Sequence, residues 1–133
     1  EHSRRELERK LDARGVEPGA AEAVLDTLEG QGYQDDGRFA EMLVRSRTRG
    51  GYGPLYIRAE LGMHGVASDV AAAALLASEP DWPTLAANAA RRRFGAGPAK
   101  DRAEMLKRAN YLHRRGFPAD AVRSALNAEI DAD

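Results

Sequence analysis

The chain has 133 residues and no cysteine, which excludes disulfide bonds and thiolate chemistry and favours a reducing cytoplasm. Only 6% of its residues are aromatic, so we expect hydrophobic cores of leucine, valine and alanine. No apolar run approaches the roughly 18 residues that a membrane span needs, and the first residues resemble no signal peptide. We therefore predict a soluble cytoplasmic protein without a membrane segment, and we expect further residues before Glu1.

The residue patterns that carry catalysis or metal chemistry are also missing. His2, His64 and His113 are scattered and have no metal-ligand spacing. Neither a Gly-x-x-x-x-Gly-Lys phosphate loop nor a Gly-x-Ser-x-Gly nucleophile elbow occurs. The sequence therefore predicts a protein that is not an enzyme and has no catalytic residue, metal or cofactor.

The net charge of −1 conceals a strong asymmetry along the chain. Residues 1–44 carry 11 acidic and 6 basic side chains, whereas residues 91–115 carry 9 basic and 2 acidic side chains. Local charge is therefore a better guide to partners than net charge is.

Glycine and proline divide the chain into short helical segments. Apolar spacing predicts helices beginning near Ser3, Pro18, Asp35, Pro54, Val70, Trp82, Lys100 and Pro118. Gly30 and Gly32 are expected to stop the second helix, and Gly50 with Gly51 to stop the third. Ser68 or Asp69 is expected to cap the fifth. No segment alternates as a strand does, so the predicted fold class is all-α.

A repeated pattern indicates tandem units. Leu11-x-x-x-Gly15-Val16, Leu61-x-x-x-Gly65-Val66 and Leu112-x-x-x-Gly116-Phe117 each combine a helix end, a glycine cap and an apolar residue. A leucine follows each glycine by ten positions, at Leu25, Leu75 and Leu126. A period near 50 predicts an elongated array of about three three-helix repeats, at 3–50, 53–95 and 100–130. The third repeat is expected to have only two full helices, its last helix being missing or short.

Three ordered motifs resemble the signature of the RecX family, the bacterial regulators of the RecA recombinase. They are Gly32-Tyr33-x-Asp35-Asp36-x-Arg38-Phe39-Ala40, then Gly53-x-x-x-Ile57-x-x-Glu60-Leu61-x-x-x-Gly65-Val66, then Arg114-Arg115-Gly116-Phe117. The residues assigned to the structural motif are Gly15, Tyr33, Asp35, Asp36, Phe39, Gly53, Leu61, Gly65, Gly116 and Phe117.

The resemblance implies an elongated helical protein that binds in the helical groove of the RecA–DNA filament. It also implies that binding limits filament extension, ATP hydrolysis and strand exchange. RecA is the expected partner, single-stranded or double-stranded DNA is a possible second partner, and we expect a monomer.

Two groups of residues admit a structural and a functional interpretation. Asp35 and Asp36 resemble a metal or acid–base pair, but adjacent helical residues point about 100° apart, so capping by Asp35 is favoured. Tyr33 and Phe39 are expected in a core. Tyr52 and Tyr56 fit either packing between repeats or contact with a partner.

Clustered arginines are the principal candidates for binding, although each alone fits a solvated face equally well. As a group their mutual repulsion favours a binding role. The partner- or DNA-binding candidates are Arg38, Arg45, Arg49, Tyr52, Tyr56, Arg58, Arg91, Arg92, Arg93, Lys100, Lys107, Arg108, Arg114 and Arg115. The alternative function is sequence-independent DNA binding without RecA, against which the near-zero net charge and the scarcity of stacking aromatics argue.

Overall fold

The computed structural model describes the backbone of residues 18–78 and 80–131, and the side chains of residues 34–78 and 80–129. Six helices occupy these ranges, with no strand between them. They are α1 (Pro18–Arg49), α2 (Pro54–Met63), α3 (Ser68–Ala77), α4 (Trp82–Phe94), α5 (Arg102–Arg114) and α6 (Ala119–Asp131). None of the six combines the length and apolar character needed to cross a bilayer. The prediction of an all-α fold is confirmed.

Helix α1 is one continuous helix where we predicted two. It runs through Gly30 and Gly32, and the expected cap at Asp35 is wrong because that residue lies inside the helix. A helical glycine costs only about 1 kcal/mol relative to alanine, so it weakens a helix without having to stop it. Asp35 instead forms an ion pair with Arg38 on the following turn. The first predicted helix and Gly15 lie outside the described residues.

The glycine-punctuated motifs form the helix ends that the sequence predicted. The N–H of Val66 donates to the carbonyl of Leu61 at 3.0 Å, and the equivalent bond in the later motif is 3.1 Å long. Gly65 and Gly116 have φ angles of 79° and 95°, in the left-handed region that this type of helix end requires. The same turn closes α1 at Gly51.

The capping residues at the helix starts are less well predicted than the helix ends. The residue that precedes α3 is Ala67, which has no side-chain cap, so the expected cap at Ser68 or Asp69 is wrong. Two aspartates cap the later helices: Asp81 accepts from the N–H of Thr84 at 3.2 Å, and Asp101 accepts from the N–H of Glu104 at 2.8 Å. Each carboxylate also lies at the positive end of a helix dipole.

The helices pack around two hydrophobic cores. The first core joins the C-terminal half of α1 to α2 and α3, and the second joins α4, α5 and α6. Trp82 packs against both, and its ring meets that of Phe117 edge-on at 6.5 Å. A row of similar helices can be divided into three-helix repeats at more than one place. The boundaries at 3–50, 53–95 and 100–130 therefore stay a prediction.

The two halves meet through their backbones. The N–H groups of Gly53 and Leu55, at the start of α2, donate to the carbonyls of Arg115 and Gly116, at the end of α5, at 2.7 and 3.0 Å. Pro54, between them, has no N–H to satisfy. The positive end of one helix dipole therefore faces the negative end of another.

This contact leaves no room for side chains on the two glycines. A Cβ on Gly53 would lie 2.5 Å from the carbonyl carbon of Gly116. A Cβ on Gly116 would lie 2.4 Å from the backbone nitrogen of Tyr56. Both glycines of the motif are therefore explained by the close approach of two main chains.

We expect Gly53→Ala to lower the free energy of unfolding by about 1–3 kcal/mol, because the added methyl group must push two backbones apart. Gly62→Ala is the matched control: a Cβ there meets nothing within 4 Å, and it should stabilise the helix by about 0.5–1 kcal/mol. Urea unfolding followed by Trp82 fluorescence measures both. Equal stability of the two variants would contradict the contact.

Candidate partner-binding surface

The carbonyls that end α1 are capped by arginines from the other half of the molecule. Arg92, on α4, donates from Nη1 to the carbonyl of Arg49 at 3.1 Å. Arg115, after α5, donates to the carbonyls of Gly51 and Gly50 at 3.2 and 2.5 Å. The last carbonyls of a helix carry partial negative charge and lack partners within the helix. These contacts satisfy them and bring cationic groups to the junction.

Aromatic rings support the same arginines. The guanidinium carbon of Arg115 lies 3.8 Å from the centre of the Tyr52 ring, which stacks on Tyr56 at 4.2 Å. Arg93 lies 5.2 Å from the ring of Phe94 and 6.0 Å from that of Tyr111. Such contacts favour a cation without neutralising it. Tyr52 and Tyr56 therefore lie at the junction, where Tyr56 also remains 38% exposed.

A small cavity opens between these groups, and we call it the junction pocket. Its volume is about 230 Å³, and its lining residues are Gly50, Gly51, Ala89, Arg92, Arg93, Tyr111 and Arg115. Three of the seven are arginines and none is acidic. The junction pocket is therefore a strongly cationic cavity whose wall comes from both halves of the molecule.

Other predicted candidates are cations on the outer surface. Arg45 lies one helical turn before Arg49, which donates from Nε to the carbonyl of Arg45 at 3.2 Å. Five other predicted candidates have exposed side chains that form no hydrogen bond or ion pair with any described residue: Arg45, Arg58, Lys100, Lys107 and Arg114. The backbone of Arg49 meets the junction pocket at the capped end of α1, whereas Arg45 lines a separate cavity with Glu41 and residues of α3.

Arg108 is not available to a partner, contrary to our prediction. Only 4% of it is exposed, and it donates to the carbonyl of Gly97 at 2.8 Å and to Glu104 at 2.6 Å. Burial of an arginine requires such partners because an unpaired charge is costly inside a protein. Here the paired arginine fixes the loop between α4 and α5.

Two further candidates are partly neutralised. Arg91 forms an ion pair with Glu129, which is buried and also accepts from the N–H of Gly97 at 2.8 Å. The backbone donor at Gly97, followed by Arg91, lowers the pKa of Glu129. Arg38 is paired with Asp35. We therefore place these arginines outside the main cationic surface.

The remaining motif residues are structural. Leu61 is fully buried in the first core, and Phe117 is fully buried in the second core, as is Leu112, the equivalent of Leu61. Phe39 packs against the first core and meets the ring of His64 at 5.0 Å. Asp36 is buried within α1. The side chain of Tyr33 lies outside the described part. Among the described residues, no group of three or more histidine, aspartate or glutamate side chains is placed to hold a metal ion.

Sequence reasoning missed one residue of the surface, Tyr111, and one ion pair outside it. Tyr111 lies under Arg93 and Arg115, and its position one turn before Arg115 could have indicated the contact. Arg47 forms two hydrogen bonds of 2.7 Å with Glu60, on α2. This pair lowers the pKa of Glu60 through the hydrogen bonds from Arg47 and removes Arg47 from the free cations.

The fold and the surface define a class: tandem helical repeats that join at a cationic junction. Comparison with known families identifies which one. Residues 35–75 match the second three-helix domain of RecX, and residues 83–126 match the third. The chain belongs to the RecX family, and the predictions of that family and of three-helix repeats are confirmed.

Curated relatives support the same assignment across nearly the whole chain. The chain is 50% identical over 131 residues to a protein named Regulatory protein RecX from Xanthomonas campestris pv. campestris (strain B100), covering 98% of this chain and 81% of the relative. A Stenotrophomonas maltophilia (strain R551-3) protein of the same name is also 50% identical, with 98% and 80% covered. The family is therefore one of regulatory proteins.

We expect Glu60→Gln to lower the free energy of unfolding at pH 7 by about 1–3 kcal/mol, because it breaks a charge-assisted pair. The pKa of Glu60 in the folded protein is lower than its usual value of 4.5. The pair with Arg47 therefore stabilises the fold above pH 4.5, and this stabilisation is lost as the pH falls through the pKa of Glu60 in the folded state. The variant should therefore lose less stability than the parent between about pH 5 and pH 3.

Urea unfolding at a series of pH values measures this effect. Glu41→Gln is the control, since Glu41 is exposed and has no ion pair among the described side chains. Identical pH profiles for the parent and Glu60→Gln would contradict a stabilising pair.

Proposed function

We propose that this protein binds the RecA–DNA nucleoprotein filament in its helical groove and limits filament extension, ATP hydrolysis and strand exchange. Membership of the RecX family of regulatory proteins supports this function. A cationic surface also suits a filament that contains DNA, because the filament presents negative charge to any protein that enters its groove.

The observation that carries the proposal is the unneutralised charge at the end of α1. Arg45 and Arg49 are exposed, lie one turn apart and have no carboxylate partner among the described side chains. Arg92 meets the carbonyl of Arg49, so this charge continues into the junction pocket. A cluster of like charges raises the rate of association with an oppositely charged partner and disfavours the binding of proteins that carry the same charge.

The surface is held rigid, which favours binding. The junction arginines are fixed by backbone carbonyls and ring faces, so little side-chain entropy remains to be lost when a partner binds. The proposed mechanism is therefore occupancy of the groove by a preformed cationic body, and it needs no chemistry from the bound protein.

We expect Arg45→Glu combined with Arg49→Glu to raise the concentration needed for half-maximal inhibition of RecA ATP hydrolysis by on the order of tenfold or more. The reason is that the two glutamates would lie against the negative charge of the filament, and like charges in contact cost several kcal/mol. Steady-state ATP hydrolysis by RecA on single-stranded DNA measures the effect, and circular dichroism checks that the helices persist.

The matched control is Arg102→Glu combined with Arg123→Glu, which makes the same change in net charge at two other exposed arginines. It should inhibit as the parent does. Equal inhibition by both double variants would remove Arg45 and Arg49 from the binding surface. No inhibition by the parent would reject the proposed function itself.

A second candidate function is sequence-independent DNA binding without RecA. The junction pocket favours it, since three arginines and no carboxylate line it. If this were the main role, binding of the parent to naked DNA would be tight and would weaken steeply with salt. We expect weak binding instead, given a net charge of −1, and a gel-shift series at increasing salt concentration measures it.

A further inference from the structure

We propose that the junction pocket is a binding site for a single phosphate group, held between the two halves of the molecule. This inference goes beyond the proposed function and does not depend on RecA. It rests on the donors left free in the pocket, on the convergence of two guanidinium groups at Gly51 and on the chemistry of the lining side chains.

The pocket has more hydrogen-bond donors than the protein itself uses. A guanidinium group has five N–H donors. Arg115 uses its Nε and Nη2 atoms on two carbonyls, and Arg92 uses Nη1 on one. Arg93 forms no hydrogen bond with any described residue and only lies over aromatic rings. Capping of α1 therefore accounts for a minority of the donors present.

Two of the guanidinium groups converge on the space above Gly51. A Cβ at that position would lie 3.0 Å from Nη2 of Arg92 and 3.3 Å from Nη2 of Arg115. Gly51 has a φ angle of 85°, which other residues rarely adopt, and its lack of a Cβ allows both guanidinium groups to approach its backbone closely. Two positive charges therefore lie close to Gly51, and no carboxylate is among the described residues that line the pocket.

Charge and size favour a phosphate group over other ligands. The cavity of about 230 Å³ is smaller than the roughly 300–1,000 Å³ of pockets for drug-sized molecules. Guanidinium forks match phosphate oxygens, and a tetrahedral group offers acceptors to three arginines that approach from different directions. A planar carboxylate offers only two oxygens in one plane. An anion here would also relieve the repulsion among the arginines.

The site would link the two halves. Arg92 and Arg93 belong to α4 and Arg115 follows α5, whereas Gly50 and Gly51 follow α1. A phosphate bound to all of them would strengthen the contact between the two cores. The same phosphate chemistry is available from the backbone of DNA, from a nucleotide or from free phosphate.

Nuclear magnetic resonance titration of the full chain with inorganic phosphate, against chloride at equal ionic strength, tests the site. We expect saturable shifts at the amides of Gly50, Gly51 and Tyr111. Arg92→Gln combined with Arg93→Gln should weaken phosphate binding at least about tenfold. Arg102→Gln combined with Arg123→Gln, which removes the same charge elsewhere, should leave it unchanged.

Two further ligands distinguish the source of the phosphate. A short single-stranded oligonucleotide without terminal phosphates should compete with inorganic phosphate if the pocket takes a phosphodiester. A nucleoside monophosphate alone should compete if it takes a terminal phosphate. Shifts that do not saturate, or equal binding by the two double variants, would overturn the proposal and leave the proposed binding to RecA standing.

Discussion

The close approach of two main chains at Gly53 and Gly116 determines how the two halves of this protein meet. The two hydrogen bonds between the start of α2 and the end of α5 are 2.7 and 3.0 Å long, and a Cβ on either glycine would collide with backbone atoms. Backbone atoms cannot move aside as the end of a side chain can, so this close approach requires glycine at both positions. The two cores, with Trp82 packed against both, are built on either side of it.

The arrangement of charge follows from that contact. Because the end of α5 is docked on α2, Arg115 reaches the carbonyls that end α1, and Arg92 reaches the same helix end from α4. Arginines that complete a helix end thereby form a cationic surface with few carboxylates nearby. In the part of the chain that the structure describes, three glutamates pair with Arg47, Arg91 and Arg108, none of which lines the junction pocket.

The sequence predicted features whose causes are local. The helix ends at Gly65 and Gly116 depend on residues within one turn, so their spacing was sufficient. The continuity of α1 through Gly30 and Gly32 was not predicted, because a glycine weakens a helix by only about 1 kcal/mol and need not end it. The contacts that each arginine makes were harder to predict. Arg115 and its carbonyl partner at Gly50 are 65 residues apart, and no spacing rule reports such a contact.

In the proposed function, the surface fixed by the Gly53–Gly116 contact, and centred on Arg45, Arg49 and the junction pocket, faces a RecA–DNA filament. Electron cryomicroscopy of this protein bound to the filament is the most direct measurement. The account predicts density for the chain in the helical groove with these arginines directed at the filament. Density in which they face solvent, or in which the two halves have separated, would contradict it.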